Sequence, residues 1–250
     1  VLFAYGLLGE AMARLAPLGV DYMGAQLAWL RGEGVEAQVV PLPTTAPVAE
    51  NARHLAAAIL AEPRPCLLVA HSKGGLEALA ALLDPAVAAR CAGLIAIQSP
   101  FYGSPIADAL LARPGLHRTL AATVRLMGLG SGAALPGLSC AARQGWMRDH
   151  ATAIDAVTRS MPVLCLAGDL RRESAVGPDR RYLPLVRWME RKGAGPNDGL
   201  VSVRSALLPG AAHWVLPAGH RGLVSTGKGR DPIGTLSQAL IRLGLGASPN

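Results

Sequence analysis

Ser72 stands where an apolar run ends and a helical pattern begins. Cys66-Leu67-Leu68-Val69-Ala70-His71 leads into the serine, and Lys73-Gly74-Gly75-Leu76-Glu77-Ala78-Leu79 leads away from it. Strand, sharp turn and helix with a serine at the apex make a nucleophile elbow, which admits only small side chains around the serine and lifts its hydroxyl to where a base can reach it. Ala70 holds the position of the motif's usual first glycine and adds only a methyl, while Gly74 and Gly75 keep the other side of the turn open. The competing reading of these residues is a serine N-cap on a helix that follows a buried strand.

A serine hydroxyl is a poor nucleophile at neutral pH and needs an imidazole base held in one tautomer by a carboxylate. On this kind of scaffold the chain order is nucleophile, acid, histidine, each on a loop at the carboxyl ends of the strands. Of six histidines, His220 lies in Leu216-Pro217-Ala218-Gly219-His220-Arg221-Gly222, just past the last strand-like run, and is the candidate base. His213 begins that run and reads as structural, and His71, next to the serine, points elsewhere because neighbours on a turn diverge. His54, His117 and His150 have no placement. For the acid, the turn Asn197-Asp198-Gly199-Leu200-Val201-Ser202 supplies Asp198, and Asp169, at the end of the run Val163 to Gly168, is the alternative. Either could be a plain turn-forming aspartate. The negative charge that develops in acyl transfer needs two waiting backbone N–H groups. Lys73, the residue after the serine, offers one, and Leu7, in Tyr5-Gly6-Leu7 after the first apolar run, offers the other.

The elements that must position these groups alternate along the chain. Apolar runs at residues 1–5, 35–42, 66–71, 91–97, 161–168 and 213–216 read as strands, and helical patterns over residues 22–31, 49–61 and from the elbow to about Leu83 lie between them. Alternation of this kind predicts an α/β fold, with a mostly parallel sheet, helices on both faces and right-handed crossovers. Between Gly103 and Ser160 the pattern changes to short helical pieces with glycine-rich joints such as Gly128-Leu129-Gly130-Ser131-Gly132, which reads as a helical cap inserted over one end of the sheet at about 103–160. Leu120, Val124, Leu126, Met127 and Leu129 could line an acyl pocket there or form the cap's own core.

At 250 residues the chain fits one α/β domain. It is 51% hydrophobic and 16% charged, which fits an ordered globule. The net charge of +7 comes from arginines scattered without a dense run or interleaved aromatics, so nucleic acid is not the expected partner. No run approaches the twenty apolar residues of a membrane span, and no leader pattern is present to assign a compartment. Val1 in place of an initiator methionine fits a processed or truncated product. Cys66, Cys91, Cys140 and Cys165 lack metal-ligand spacing and read as buried thiols; pairing of Cys66 with Cys91 stays open. No cofactor or metal is expected.

Four blocks together resemble the bacterial true lipases of the α/β-hydrolase superfamily, the group of the Pseudomonas and Burkholderia triacylglycerol lipases. They are Tyr5-Gly6-Leu7-Leu8-Gly9 with Val20-Asp21-Tyr22, the elbow His71-Ser72-Lys73-Gly74-Gly75, Ser99-Pro100-Phe101-Tyr102-Gly103-Ser104-Pro105-Ile106-Ala107-Asp108, and Asn197-Asp198-Gly199-Leu200-Val201-Ser202 leading to His220. The resemblance implies Ser72, Asp198 and His220 as the triad and the amides of Leu7 and Lys73 as the oxyanion hole. It also implies a small-molecule or lipid ester substrate, transient contact with a lipid interface, and secretion where a leader has been removed. Tyr5 stands where the family commonly has histidine. Gly222 stands where several relatives have a calcium-binding aspartate, which argues against calcium. An acyltransferase using the same triad, or a binding protein that keeps the scaffold without turnover, would present the same residues.

Overall fold

The computed structural model describes residues 1–7, 9, 21–113, 115, 118 and 133–245. Six strands lie in them: β1 (Leu2–Ala4), β2 (Gln38–Val39), β3 (Cys66–His71), β4 (Cys91–Ile97), β5 (Val163–Gly168) and β6 (Ala212–Leu216). They form one sheet in the order β2-β1-β3-β4-β5-β6, and each neighbouring pair is parallel. β3 is buried along its whole length, as a strand covered on both faces must be.

The longer helices are α1 (Gly24–Gly32), α2 (Val48–Ala61), α3 (Lys73–Leu82), α4 (Pro105–Leu111), α5 (Cys140–Asp149), α6 (Ala151–Ser160), α7 (Leu183–Arg191) and α8 (Pro232–Arg242). Two apolar layers sandwich the sheet. Leu55 and Ile59 of α2, Leu76 and Leu79 of α3, and Ile154 and Val157 of α6 pack on one face. Leu30 of α1 and Leu236 of α8 pack on the other. β1 therefore leads to a helix on one face and its neighbour β3 to a helix on the opposite face. Loops that part in this way leave a crevice at the carboxyl ends of the strands, the usual place for a ligand in an open parallel sheet.

Local deviations from the sequence pattern have local and tertiary causes. The expected strand over 35–42 shrinks to Gln38–Val39, because Pro41 and Pro43 cannot donate to a ladder. Met23 stays outside α1 at φ 58°, its N–H drawn to Val224 O at 2.6 Å and its side chain buried. Within 103–160, Leu135, Leu138, Met147, Ile154 and Val157 bury in the same layer as α2 and α3, and α6 forms the return crossover into β5. Residues 128–132, together with His117, Leu120, Val124, Leu126, Met127 and Leu129, lie outside the described residues.

Cys66 and Cys91 are register partners at the starts of β3 and β4, and all four thiols are free. Among the described residues no helix is long and apolar enough to cross a membrane.

Candidate active site

Ser72 sits between the last residue of β3 and the first of α3 with φ 54° and ψ −124°. A non-glycine residue held there costs about 1–3 kcal/mol, which the surroundings must supply. Its N–H donates to Ile97 O at 2.8 Å, and its carbonyl accepts from Gly75 N–H at 3.1 Å. Both elbow glycines are needed for close approach: a Cβ on Gly74 would collide with Ala4 O, and one on Gly75 with Ser99 Oγ. Beneath the turn, the buried Lys73 ammonium is ion-paired with Glu77 one helical turn on, and Asn51 Nδ2 of α2 donates to Glu77 Oε1 at 2.7 Å. Burial pushes the Glu77 carboxyl up, and Lys73 opposes that shift.

The residues that the sequence places far apart meet over this turn. His220 Nε2 lies 3.0 Å from Ser72 Oγ, and His220 Nδ1 lies 2.9 Å from Asp198 Oδ2. A carboxylate can only accept, so the network assigns the proton to Nδ1 and leaves the Nε2 lone pair facing the serine hydroxyl. Asp198 is 1% exposed, so its charge rests on hydrogen bonds. Leu200 N–H (2.9 Å) and Val201 N–H (2.8 Å) donate to Oδ1, and Gln98 Nε2 (2.9 Å) joins His220 on Oδ2. Gly168 makes room for this group, since a Cβ there would lie 2.8 Å from Asp198 Cβ.

Asp169, the alternative acid, instead pairs with Arg171 at 2.8 Å and has no hydrogen bond to His220. His213 Nε2 donates to Leu208 O at 2.6 Å, and His150 Nδ1 lies 2.8 Å from Trp146 O within α5 and its C-cap. His71 turns away from the serine, as neighbours on a turn do, and is buried.

The loop after β1 closes on the elbow. A Cβ on Gly6 would lie 2.8 Å from Ser72 Cβ and 2.9 Å from Tyr22 Oη, so only glycine fits there, and Leu7 follows directly. Lys73 is the first residue of α3, whose N-terminal end carries partial positive charge. The two residues expected to supply the oxyanion amides thus adjoin the elbow, Leu7 after the glycine that touches Ser72 and Lys73 directly after the serine.

The His220 loop is tied down by groups that the sequence pattern did not single out. Gly219 N–H donates to Asp179 Oδ2 at 3.2 Å, and Arg230 grips Asp179 Oδ1, its Nε at 3.1 Å. Both side chains of that ion pair are almost fully buried. Gly222 packs against the same carboxylate. Among the described residues no group of three or more His, Cys, Asp and Glu could hold a metal ion. Gln98 and Asp179 had no sequence signal beyond following a strand and preceding a helix.

No protein-family model matches the chain, and no curated protein matches it. Solved structures do. A metagenomic carboxyl esterase, MGS0156, superposes with a TM-score of 0.78 at 23% identity, over 96% of this chain and 74% of that one. The mature form of the Bacillus licheniformis lipase BlEst2 gives 0.70 at 18% identity, over 98% and 91%. The Staphylococcus hyicus lipase gives 0.65 at 14% identity, over 97% and 95%. At these identities the likeness speaks for architecture, and together with the parallel sheet and elbow it shows that the chain has the α/β-hydrolase fold.

Proposed function

We propose that the chain is a serine carboxylic ester hydrolase, a lipase or esterase that works through an acyl-enzyme. The observation that carries the reading is the unbroken contact from Ser72 Oγ to His220 Nε2 at 3.0 Å and from His220 Nδ1 to Asp198 Oδ2 at 2.9 Å. Ser72 Oγ attacks the ester carbonyl carbon while its proton passes to His220 Nε2, and Asp198 stabilises the imidazolium. The carbonyl oxygen, now an anion, is received by the N–H groups of Leu7 and Lys73. Collapse expels the alcohol, which takes the proton from His220. Water then enters by the same route, His220 accepting its proton, and the free acid leaves as Ser72 regains its hydrogen. No metal or cofactor enters any step.

The esterase and lipases that share the fold support an ester substrate, and the true-lipase resemblance supports a lipid one. We propose that the cap is the part of 103–160 that precedes α6, since α6 itself packs on the sheet; Ser104 Oγ donates to Leu200 O at 2.5 Å, which fastens the start of α4 beside the proposed acid loop. The test is turnover of p-nitrophenyl esters and labelling by a serine-directed phosphonate. Wild-type protein should do both and Ser72→Ala neither; an inert, unlabelled wild type would point to the binding-protein alternative.

A further inference from the structure

His71 and Tyr22 form a buried link between the two loops that flank the nucleophile. Tyr22 Oη lies 2.8 Å from Gly6 N and 2.7 Å from His71 Nδ1, and His71 Nε2 lies 2.8 Å from the backbone carbonyl of His220. Both side chains are nearly inaccessible, at 6% and 2% exposure. The direction of each bond follows from its ends. The His220 carbonyl can only accept, so His71 carries its proton on Nε2. His71 Nδ1 is then a lone pair, so the Tyr22 hydroxyl donates to it. The Tyr22 oxygen accepts the Gly6 amide proton. One arrangement satisfies all four groups.

The segment that carries Tyr22 is fastened to the His220 loop at further points. Arg221 Nη2 donates to Asp21 O at 2.9 Å, Thr226 N–H to Asp21 Oδ2 at 2.7 Å, and Met23 N–H to Val224 O at 2.6 Å. These contacts make the Tyr22 segment a frame for the loop that presents the base. The hydroxyl and imidazole then join that frame to Gly6, whose neighbour Leu7 carries one proposed oxyanion donor.

We propose that Tyr22 and His71 are positioning residues that hold the oxyanion loop and the catalytic histidine as one rigid unit; this deepens the hydrolase reading and rests on it. Neither touches the substrate. Each acts on the spacing between the donor that receives the developing charge and the base that moves the proton, and errors of an ångström in such spacing cost orders of magnitude in rate. The link requires neutral His71. A second proton would occupy Nδ1, where the Tyr22 hydroxyl donates, and would face the His220 ring at 4.9 Å and the Arg221 guanidinium above Tyr22. Burial first, and then His220, hold the His71 imidazole well below the usual histidine range.

Tyr22→Phe removes one oxygen and keeps the ring. We expect kcat on a soluble short-chain p-nitrophenyl ester to fall at least tenfold with KM within about twofold, and the acid limb of the kcat profile to move. Wild-type kcat and an unmoved profile in Tyr22→Phe would overturn the proposal. A second measurement needs no variant: 15N-labelled wild type should show the His71 ring neutral and protonated at Nε2 at pH 6, and an Nδ1–H tautomer or an imidazolium would overturn it equally. Failure of the hydrolase reading looks different, since wild type would then be inert toward esters and phosphonate whatever the state of the His71 ring.

Discussion

Gln98 Nε2 lies 2.9 Å from Asp198 Oδ2 and also 3.0 Å from the carbonyl of Gly219, so one side-chain amide holds the proposed acid and the loop of the proposed base together. Gln98 adopts φ 49° at the end of β4, a conformation few non-glycine residues take, and this aims it across β5 past Gly168. Gln98→Leu should lower kcat/KM about 10- to 100-fold, the value of one hydrogen bond to a charged group. Steady-state kinetics on a soluble ester checks it, and an unchanged kcat/KM would remove Gln98 from the site.

The two aspartates are separable by the same assay. Asp198→Asn should cost about 10⁴-fold in kcat, since the amide no longer fixes the His220 tautomer. Asp169→Asn should stay within about twofold, because that group pairs with Arg171 on a partly exposed rim and makes no hydrogen bond to His220. The reverse result would move the acid to the end of β5.

Arg230 and Asp179 make a buried pair, and removal of one partner strands the other. Arg230→Ala should destabilise the protein by about 3–5 kcal/mol. Because Asp179 also receives the Gly219 amide, the variant should lose activity at denaturant concentrations that wild type tolerates. Urea unfolding followed by far-ultraviolet circular dichroism gives the first quantity, and residual ester turnover gives the second. Since Arg230 already matches the Asp179 charge, chelation with EDTA should leave wild-type turnover unchanged.

His71 sets a pH dependence of stability. Its folded pKa is depressed by burial, whereas the unfolded chain titrates near 6.5, so below about pH 6.5 the unfolded state binds the extra proton. Its contribution is therefore fully present above that pH and declines below it, by up to about 1.4 kcal/mol per pH unit. Urea unfolding between pH 5 and 8 should show this slope in wild type and a shallower one in His71→Gln. Parallel profiles would contradict it.

The thiols offer a check on packing. Cys66, Cys91 and Cys165 are buried, and burial pushes the Cys165 thiol up to about 12. A disulfide reagent should modify these three slowly in native protein, and all four cysteines at once after unfolding. A titre of two in unfolded, unreduced protein would show that one disulfide has formed, and peptide mapping would then test Cys66 and Cys91, the register partners, as the pair.

Much of this architecture was legible because periodicity reports burial. The continuous apolar runs at 66–70, 91–97 and 163–168 are short and bounded by Gly, Pro or turn residues, which favours strands covered on both faces, and a serine between one of them and a helix locates the crevice. Position on a loop after the last strand singled out His220. What stayed hidden was the set of groups whose role depends on distant partners. Gln98 read as the end of a strand, Lys73 as a backbone donor whose buried ion pair with Glu77 left no pattern, and Tyr22 as the start of a helix. Asp179 and Arg230 are 51 residues apart, and no local spacing joins them. Such contacts arise from tertiary packing, which composition and period do not encode.

The strand order has a consequence for biosynthesis. Ser72 follows β3, which the ribosome delivers early, whereas Asp198 and His220 follow β5 and β6 on the far side of the sheet. Under the proposed mechanism, a nascent chain that has folded its first four strands holds a serine hydroxyl with no base beside it, and ester turnover begins only when the last quarter emerges and docks.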